Sequence, residues 1–392
     1  MAAALSRYGE TASSLEAGLQ ACARTLGVEV AFFSVPTAVF VGYGHGGGMH
    51  TVLLHTRESA IDLEALSLLD ETLIDVTRGR KSAAQGLAEV RLITAHPLRF
   101  PWYMRVLASG MGAAAIAVFL GGGVHELTAA IPVGLAVGAL SVLARRTERL
   151  TSLVELSAGL LAAALTLALA HALPHFHLAT VLLAGLILLL PGLSITLGVA
   201  ELAAGHLVSG SARLAGATVS LVSLGLGVAI GYAIFAKLGW VPAAGPAREI
   251  PGQWLTVLAV AGSSAALLIV TNSRPRDFLI VLCAVAVAVY GARLGAWLLG
   301  PTVGVVVASL LLGLGSNLFA RLTNRPAALA LVPGLAALVP GALGFRGISA
   351  FLRSATGSLE ILAAVLVIAA GLVVGLLVAD ATLPARHEPF RG

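Results

Sequence analysis

The longest run without a charged side chain decides what this chain can fold into. Between Leu156 and Ala200 the sequence has no Asp, Glu, Lys or Arg over 45 residues. About 20 apolar residues in a helix cross the hydrocarbon core of a bilayer, so the run is long enough for two crossings. Because lipid offers no hydrogen-bond partner to the backbone, such runs fold as helices. Further charge-free runs follow at Leu214–Ala236, Ile250–Ser273, Leu294–Ala320, Ala327–Phe345 and Ile361–Ala379.

The amino-acid composition points the same way. Charged residues make up 11% of the chain and hydrophobic residues 58%, whereas a soluble domain has about 25% charged residues. The formal net charge is +5. However, the basic residues lie in short gaps between apolar runs, which is the pattern that orients membrane helices rather than that of a nucleic-acid surface. The composition therefore predicts a protein of the lipid bilayer with no nucleic-acid partner.

Two features of the N-terminal region bear on its compartment. Cys22 lies in this polar region and Cys283 in an apolar run, so we expect no disulfide and no cysteine-based metal or redox site. The first 20 residues carry Arg7, Glu10 and Glu16 and have no apolar core, unlike a secretory signal peptide. We therefore expect the region before the membrane helices to stay in the cytoplasm.

Residues 1–98 predict a small α+β domain. Apolar residues recur there at helical spacing in three segments, and short stretches rich in β-branched and aromatic residues lie between them. In the second helical segment one face carries Leu63, Leu66, Leu69, Leu73 and Val76. The predicted elements are a helix at Thr11–Leu26, strands at Val28–Ser34, Ala38–Gly42 and Thr51–His55, and amphipathic helices at Asp62–Thr77 and Lys81–Leu92.

The remainder predicts a polytopic α-helical membrane protein of about ten spans. These are placed near 106–124, 127–144, 153–173, 178–200, 214–236, 254–272, 277–293, 296–318, 327–345 and 359–379. Most Lys and Arg of this part fall on the side of the N-terminal domain, which places the N-terminus in the cytoplasm. Arg346 and Arg353 do not, so 346–358 is either external or re-entrant. The predicted organisation is a cytoplasmic domain at 1–98, membrane halves at 99–236 and 254–380, an external loop at 237–253 and a cytoplasmic tail at 381–392.

An internal repeat organises the membrane part. Each half has a Pro-Gly pair inside an apolar run, Pro191-Gly192 and Pro340-Gly341, and an acidic residue that precedes it, Glu126 by 65 residues and Asp277 by 63. Two halves of five spans each must be inverted relative to one another, which is typical of secondary transporters whose substrate site lies where helices are broken. Proline and glycine free backbone groups inside the membrane. Simple kinks stabilised by neighbouring helices are the alternative.

The residues around these features carry a family resemblance. In the N-terminal domain they are Gly9-Glu10-Thr11, Glu16, Leu26-Gly27-Val28, Pro36-Thr37 and Ile61–Gly79, and in the membrane part Pro191–Leu214 and Leu338–Gly347. Over most of its length the chain resembles the threonine/serine exporter family of bacterial amino-acid exporters. The resemblance implies export of small hydroxylated amino acids by proton antiport, without an ATPase domain or cofactor, in the bacterial inner membrane. The implied partners are the amino acid, protons and lipid, and a homo-oligomer stays open.

The resemblance and the freed backbone together define a candidate substrate site. Its residues are Pro191, Gly192, Ser194, Thr196, Pro340 and Gly341. Backbone amides at a helix start suit a carboxylate, and the hydroxyls of Ser194 and Thr196 suit a hydroxylated substrate. The alternative is that these hydroxyls bond carbonyls of their own helix. The sequence departs from the family pattern at Leu197, where an Asn is usual, and at Glu201, where an Asp is usual; the departure concerns the substrate rather than the process.

Proton coupling needs a group that changes charge in or near the membrane. Glu155, inside the third span, and Glu201, after the broken fourth, are the candidates. Glu155 is alternatively a partner of Arg149 or Arg146. Glu126 and Asp277 lie at span edges, where a structural cap is the favoured interpretation.

Other functions are less well supported. The stretch GYGHGGGMH lacks the Gly-Lys-Ser/Thr ending of a phosphate-binding loop. The spacing of His45, His50 and His55 has no carboxylate or cysteine to complete a metal site. We therefore expect no enzyme and no metal. A gated channel or sensor with a regulatory soluble domain, or an exporter of another small metabolite, is the alternative.

Overall fold

Helices make up most of the structure, a computed structural model that describes residues 1–44, 48, 50–56, 61–145, 147–172, 176–239, 252–300, 304–323, 325–338 and 358–384. The N-terminal elements are α1 (Ala2–Arg7), α2 (Ala12–Thr25), β1 (Val30–Val35), β2 (Ala38–Tyr43), β3 (His50–His55), α3 (Leu63–Thr77) and α4 (Ala83–Ala95). The later helices are α5 (Trp102–Phe119), α6 (Val124–Ala144), α7 (Glu148–Thr151), α8 (Val154–Ala172), α9 (Leu178–Leu186), α10 (Gly192–Ala203), α11 (Leu207–Lys237), α12 (Gln253–Val270), α13 (Phe278–Leu299), α14 (Gly304–Thr323), α15 (Ala328–Ala337) and α16 (Ser358–Thr382).

The N-terminal region folds as helices packed on a small sheet. Its three strands form an antiparallel meander in the order β1-β2-β3, and the register pairs Val35 with Ala38 across a two-residue turn. The predicted apolar face of α3 is buried, with Leu69 at 0% exposed and Leu63 at 1%. Short helix α1 was not expected from the sequence; its Leu5 joins the same core.

Polar contacts fix the turn between α3 and α4. Gly79 has a φ of +69°, a left-handed conformation that favours glycine. The ammonium of Lys81 lies 3.0 Å from Asp75 and 2.7 Å from Glu89. Ser82 and Gln85 then form a capping box at the start of α4. The predicted pair of amphipathic helices is therefore a packed hairpin.

Seven helices in the described ranges are long and apolar enough to cross a membrane, or eight if the bent pair formed by α9 and α10 is one span. They are α5, α6, α8, α11, α12, α13 and α14. Helix α15 and the part of α16 from Val367 to Thr382 are apolar but shorter. The chain is thus a multi-pass membrane protein, and the prediction of ten spans in a 5+5 repeat is not confirmed by length and composition.

One predicted boundary is wrong. We expected a span to end near residue 293 and the next to begin at 296, because Arg293 interrupts the apolar run. Helix α13 instead continues to Leu299 and ends at Gly300, whose φ is +88°. The guanidinium of Arg293 is accommodated within the helix because it donates to the hydroxyl of Thr256 at 3.2 Å and lies over the ring of Tyr290.

The N-terminal region contacts the membrane helices on one side, which we term the near side; the opposite side is the far side. The backbone N–H of Leu63 donates to the carbonyl of Thr271, at the end of α12, at 2.9 Å. Leu329, in the first turn of α15, is 2% exposed and belongs to the same apolar cluster as Leu63 and Leu69. Helices α5, α8, α11 and α13 therefore run from near to far, and α6, α12 and α14 run back.

Small residues pack α11 against α8 and α16 against α14. A Cβ added to Gly227 of α11 would meet the Leu156 carbonyl and the Leu160 amide of α8, and one added to Gly375 of α16 would meet the Val306 carbonyl and the Leu310 amide of α14. Residues 306 and 310 follow 156 and 160 by the same 150 positions. The two helix pairs therefore share one packing geometry, in which only glycine leaves room for the close approach.

The two predicted span-edge acids have matching roles. Glu126, at the start of α6, accepts hydrogen bonds from the backbone N–H of Gly123 at 2.8 Å and of His177 at 2.9 Å, where His177 precedes α9. Asp277, at the start of α13, accepts two hydrogen bonds from the guanidinium of Arg325, at 2.7 and 2.8 Å, and Arg325 precedes α15. Each acid thus joins the starts of two helices, α6 to α9 and α13 to α15, which agrees with the structural interpretation.

Candidate functional site

The chain breaks its fourth apolar run at Pro191. Helix α9 tightens into a 3₁₀ turn at Ile187–Leu189, and α10 begins at Gly192 with its axis turned by 60°. Pro191 stands at the N-cap, with φ −79° and ψ 44°. It has no N–H to continue the hydrogen bonds of α9, so the helix cannot pass through this position without losing one. The predicted break is therefore present in the first half.

Backbone groups are freed at this break. The N–H of Gly192 bends back to the carbonyl of Leu190 at 2.8 Å, and the first helical bond of α10 runs from the Ile195 N–H to the Pro191 carbonyl at 3.0 Å. The amides of Leu193 and Ser194 precede that bond and have no acceptor among the described residues. Unpaired donors inside a membrane segment are costly unless a cavity, water or ligand satisfies them.

The two predicted hydroxyls differ in their surroundings. Thr196 is 1% exposed, and its hydroxyl donates to the carbonyl of Gly192 at 3.1 Å, one turn back in its own helix. Ser194 is partly exposed, and its hydroxyl has no hydrogen-bond partner within the described ranges. The Ser194 hydroxyl is therefore available to a ligand. The Thr196 hydroxyl instead bonds a carbonyl of its own helix, which was the alternative interpretation.

The second break, Pro340-Gly341, lies outside the described residues. The structure does describe α15, which leads to it and contains Pro333. Leu338, just after α15, packs against the same apolar cluster as Leu193 of α10, a cluster formed by Ala284, Leu312, Ala330, Leu335 and Leu372. The segments that flank the two Pro-Gly pairs therefore meet across one small core.

Glu201 lies at the near end of α10. It is 2% exposed, and its carboxylate accepts from the Ser209 hydroxyl at 2.6 Å and from the Arg213 guanidinium at 3.1 Å. The chain reverses direction between α10 and α11 at Gly205, whose φ is +87°. The second carboxylate oxygen accepts from the backbone N–H of Ala12, the first residue of α2, at 3.3 Å. Glu201 thus joins α10 to α11 and to the N-terminal region.

The predicted acids do not meet at the break. Glu201 follows Gly192 by nine residues, about 14 Å along a helix. Glu155, in the first turn of α8, is partly exposed and forms no hydrogen bond or ion pair with the described residues. Arg146 and the side chain of Arg149, its suggested partners, lie outside those residues. The structure therefore places a polar break and two separate acidic positions along the first half.

Several polar contacts were not anticipated from the sequence. At the turn between α12 and α13, the Asn272 amide donates to the Asp62 carboxylate at 2.7 Å, and its oxygen accepts from the backbone N–H of Arg99 at 3.0 Å. Asn272 has a φ of +51°, as is common for Asn after a helix end. The signal in the sequence was the short polar stretch Thr271–Arg274 between two apolar runs.

Several charged side chains lie beside this contact of Asn272 with Asp62. The carboxylate of Glu64 accepts from the guanidinium of Arg99 at 2.7 Å and from that of Arg274 at 3.1 Å. The hydrogen bond from Arg99 holds the pKa of Glu64 below its usual value. Burial raises the pKa of Asp62, against the hydrogen bonds that it accepts from Ala65 and Asn272. The N-terminal region is therefore hydrogen-bonded to both halves, at Glu201 and at Asn272. We term these two groups of contacts the near-side fastenings.

A bundle of membrane-crossing helices with one span broken at a Pro-Gly pair, and freed backbone groups at the break, is an arrangement that many membrane transporters share. A family model described as "Putative threonine/serine exporter" matches residues 1–235, and one described as "Threonine/Serine exporter, ThrE" matches residues 249–382. The chain belongs to the threonine/serine exporter family.

Three curated proteins to which the chain is similar come from fungi. Two uncharacterized proteins of Schizosaccharomyces pombe are each 25% identical, over 373 residues (90% of this chain, 44% of that protein) and 366 residues (88% and 47%). The pheromone-regulated membrane protein 10 of Eremothecium gossypii is 23% identical over 353 residues (86% and 47%). The chain spans less than half the length of these relatives. No solved structure matches it.

Proposed function

We propose that this protein is a secondary active exporter of small hydroxylated amino acids, serine and threonine, that works by proton antiport in the bacterial inner membrane with its N-terminus in the cytoplasm. The observation that carries the proposal is the break at Pro191, with unpaired amides on Leu193 and Ser194 inside a membrane segment. The family membership supports export as the process. The chemistry of the break supports a small zwitterion as the solute.

The proposed architecture is an inverted repeat of five plus five helices. Two matched features support it: the glycine contacts at Gly227 and Gly375, and the acids Glu126 and Asp277 that each join a second helix to a fourth. The third helices α8 and α14 run in opposite directions across the membrane, as inversion requires. In such repeats the substrate site lies near the membrane midplane.

The proposed substrate site is formed by the two breaks, with Pro191, Gly192, Ser194 and Thr196 in the first half and Pro340 and Gly341 in the second. The amides at the start of α10 would bind the substrate carboxylate, because a helix start presents unpaired donors and the positive end of the helix dipole. The Ser194 hydroxyl would bind the substrate hydroxyl. Thr196 would contribute once its bond to Gly192 is exchanged.

Glu155 and Glu201 are the proposed proton-coupling residues. Glu155 lies partly exposed in the first turn of α8, at the near end of a membrane-crossing helix. Protonation of Glu201 would weaken its bond with Arg213 and the hydrogen bond that it accepts from the Ala12 amide. A protonation step there would reach both α10 and the N-terminal region.

The test is efflux of labelled threonine, serine and alanine from proteoliposomes, with and without a pH gradient. The proposal expects flux that follows the gradient and ignores ATP. Gly192→Val should reduce the flux, whereas Gly216→Val, at an exposed position where an added Cβ meets nothing within 4 Å, should not. Absence of gradient-dependent flux of any amino acid would contradict the proposal. Ion conduction without coupling would favour a gated channel with a regulatory N-terminal region.

A further inference from the structure

Two buried hydroxyls in the membrane part have no hydrogen-bond partner among the residues that the structure describes. Thr166 of α8 and Ser316 of α14 are each 1% exposed, and their Oγ atoms are unpaired. In the described part of the chain, the other buried side-chain polar atom without a partner is Nε of Arg105. Because a buried polar group without a partner is destabilising, native structures contain few of them, and each calls for an explanation.

Most neighbouring hydroxyls avoid this state by bonding their own helix. The hydroxyl of Ser264 donates to the carbonyl of Val260 at 2.6 Å, and that of Thr196 donates to Gly192. Thr166 and Ser316 do not use the equivalent carbonyls of Ala162 and Leu312. Their helices therefore offer an internal partner that the two side chains leave unused.

The two hydroxyls occupy matched positions. They are 150 residues apart, the same separation that relates Leu156 to Val306 in the two glycine contacts. Each lies about 4 Å past the middle of its helix, at 1.5 Å per residue. Because α8 and α14 run in opposite directions, Thr166 lies slightly toward the far side and Ser316 slightly toward the near side.

Both side chains lie on helices that pack against the fourth helix of their half. The side chain of Leu312 packs against Gly334 of α15, and Ser316 is one turn further along α14 on the same face. Helix α8 likewise packs against α9, the first segment of the broken span. The helices that carry the unpaired hydroxyls thus both contact the segments that lead to the Pro-Gly pairs.

We propose that Thr166 and Ser316 bind the side-chain hydroxyl of the transported amino acid, one on each side of the membrane midplane, and so select serine or threonine over alanine. This inference rests on the proposed exporter function. A hydroxyl both donates and accepts, and neither of these two is bonded to an ionised side chain within the described ranges. A neutral hydroxyl group suits such a position better than an ammonium or a carboxylate, since an unpaired charge there is far costlier.

The experiment compares Thr166→Val and Ser316→Ala with wild type in proteoliposomes, using labelled serine and alanine. We expect the KM for serine to rise about tenfold, the loss of one hydrogen bond, and the KM for alanine to stay unchanged. Thr166→Val should act on serine added at the far side and Ser316→Ala on serine added at the near side. Thr166→Ser and Ser316→Thr, which keep the hydroxyl, should retain the wild-type KM.

Thermal unfolding of the detergent-solubilised protein separates this role from a structural one. Removal of an unpaired hydroxyl should leave the Tm equal or higher, whereas Ser264→Ala, a matched buried hydroxyl with a partner, should lower it. Serine should raise the Tm of wild type and have less effect on the two variants. Unchanged KM values in an active protein, or equal changes for serine and alanine, overturn this inference alone. Wild type that shows neither flux nor a serine-induced Tm shift overturns the proposed function as well.

Discussion

The two membrane halves share their packing but differ in their polar contacts. A Cβ added to Gly227 or to Gly375 would meet the same two kinds of backbone atom, at residues that are 150 positions apart in the two halves. The first helices of the halves, α5 and α12, also pack on one another, with Ala115 and Val118 in one cluster with Leu255 and Ala259. The acids at the second helices have different partners. Glu126 binds two backbone amides on the far side, and Asp277 binds the guanidinium of Arg325 on the near side. The glycine contacts are therefore alike in the two halves, whereas the partners of the two acids differ.

This difference follows from where the N-terminal region lies. On the near side, Glu64 of this region accepts hydrogen bonds from Arg99 and from Arg274 of the second half, and its Ala12 amide donates to Glu201 of the first half. Close helix packing depends on small residues and tolerates inversion, whereas ion pairs form where a partner is present. Helix pairs that run in opposite directions can therefore keep one packing geometry while the near side alone acquires charged contacts. Conformational asymmetry between the two sides would arise from these fastenings.

The shared packing predicts the largest effects. Gly227→Val and Gly375→Val should each destabilise the protein by about 3 kcal/mol or more, because the side chain would meet backbone atoms that cannot move aside. Thermal unfolding in detergent and size-exclusion chromatography measure this. Gly216→Val is the control. If one of the pair is tolerated while the other is not, the halves do not share a framework.

The difference between the acids predicts the next effect. Arg325→Ala leaves the Asp277 side chain, 2% exposed, without its bidentate partner, at a cost of about 3 kcal/mol. Glu126→Gln keeps an acceptor for one of the two amides and leaves the other without one, so it should cost about 1 kcal/mol. Tm values of both variants check this. The double variant Arg325→Ala/Asp277→Asn should recover part of the loss; no recovery would mean that the pair does not act as a unit.

The substitution Glu201→Gln should lower the free energy of unfolding by about 2 kcal/mol. Glu201→Gln keeps one acceptor oxygen for the Ser209 hydroxyl, but its NH2 group cannot accept from the Ala12 amide, and the charge that faces Arg213 is lost. Hydrogen exchange at the first turn of α2 should increase, while exchange at Leu63, fastened to the other half, should not. The flux assay adds a second measurement. If Glu201 couples transport to protons, the flux through the Glu201→Gln variant should no longer depend on the pH gradient. Equal exchange at both sites would contradict separate fastenings.

Much of the fold followed from the sequence because apolar periodicity reports helix faces and charge-free runs report spans. The buried face of α3 and the break at Pro191 were predicted for that reason. Helix α1, the true end of α13 at Leu299 and the contact of Asn272 with Asp62 were not, because they depend on tertiary partners far along the chain. Arg293 misled the boundary prediction because its partner Thr256 belongs to another helix.

The candidate site was less predictable than the fold. The Pro-Gly pair marked the break, but the sequence could not separate Ser194 from Thr196, since the choice between a free hydroxyl and a bond to the own helix is made by the local rotamer. Thr166 carried no motif at all. An unpaired hydroxyl is defined by what surrounds it, and a sequence pattern does not report that.

The two near-side fastenings should respond to pH in opposite directions. Burial raises the pKa of Glu10, two residues before Ala12, to about 7, with Asp70 of α3 adding repulsion and the hydroxyl of Ser14 opposing the shift. Burial also raises the pKa of Asp70 to about 6. At the other fastening, Arg99 lowers the pKa of Glu64.

The sign of each effect follows from linkage. Glu10 keeps its proton in the folded protein while the unfolded chain loses it above its ordinary value near 4.5, so this contribution is lost as pH rises from about 4.5 through 7. Glu64 is ionised in the folded protein at lower pH than in the unfolded chain, so its contribution is lost as pH falls below about 4.5. Glu10→Gln should therefore stabilise the protein at pH 8 by about 1 kcal/mol and leave it unchanged at pH 4. Glu64→Gln should destabilise it at pH 7 and have less effect at pH 4. Tm values of both variants between pH 4 and 8 measure this, and parallel profiles for the two would show that the fastenings do not differ in charge state.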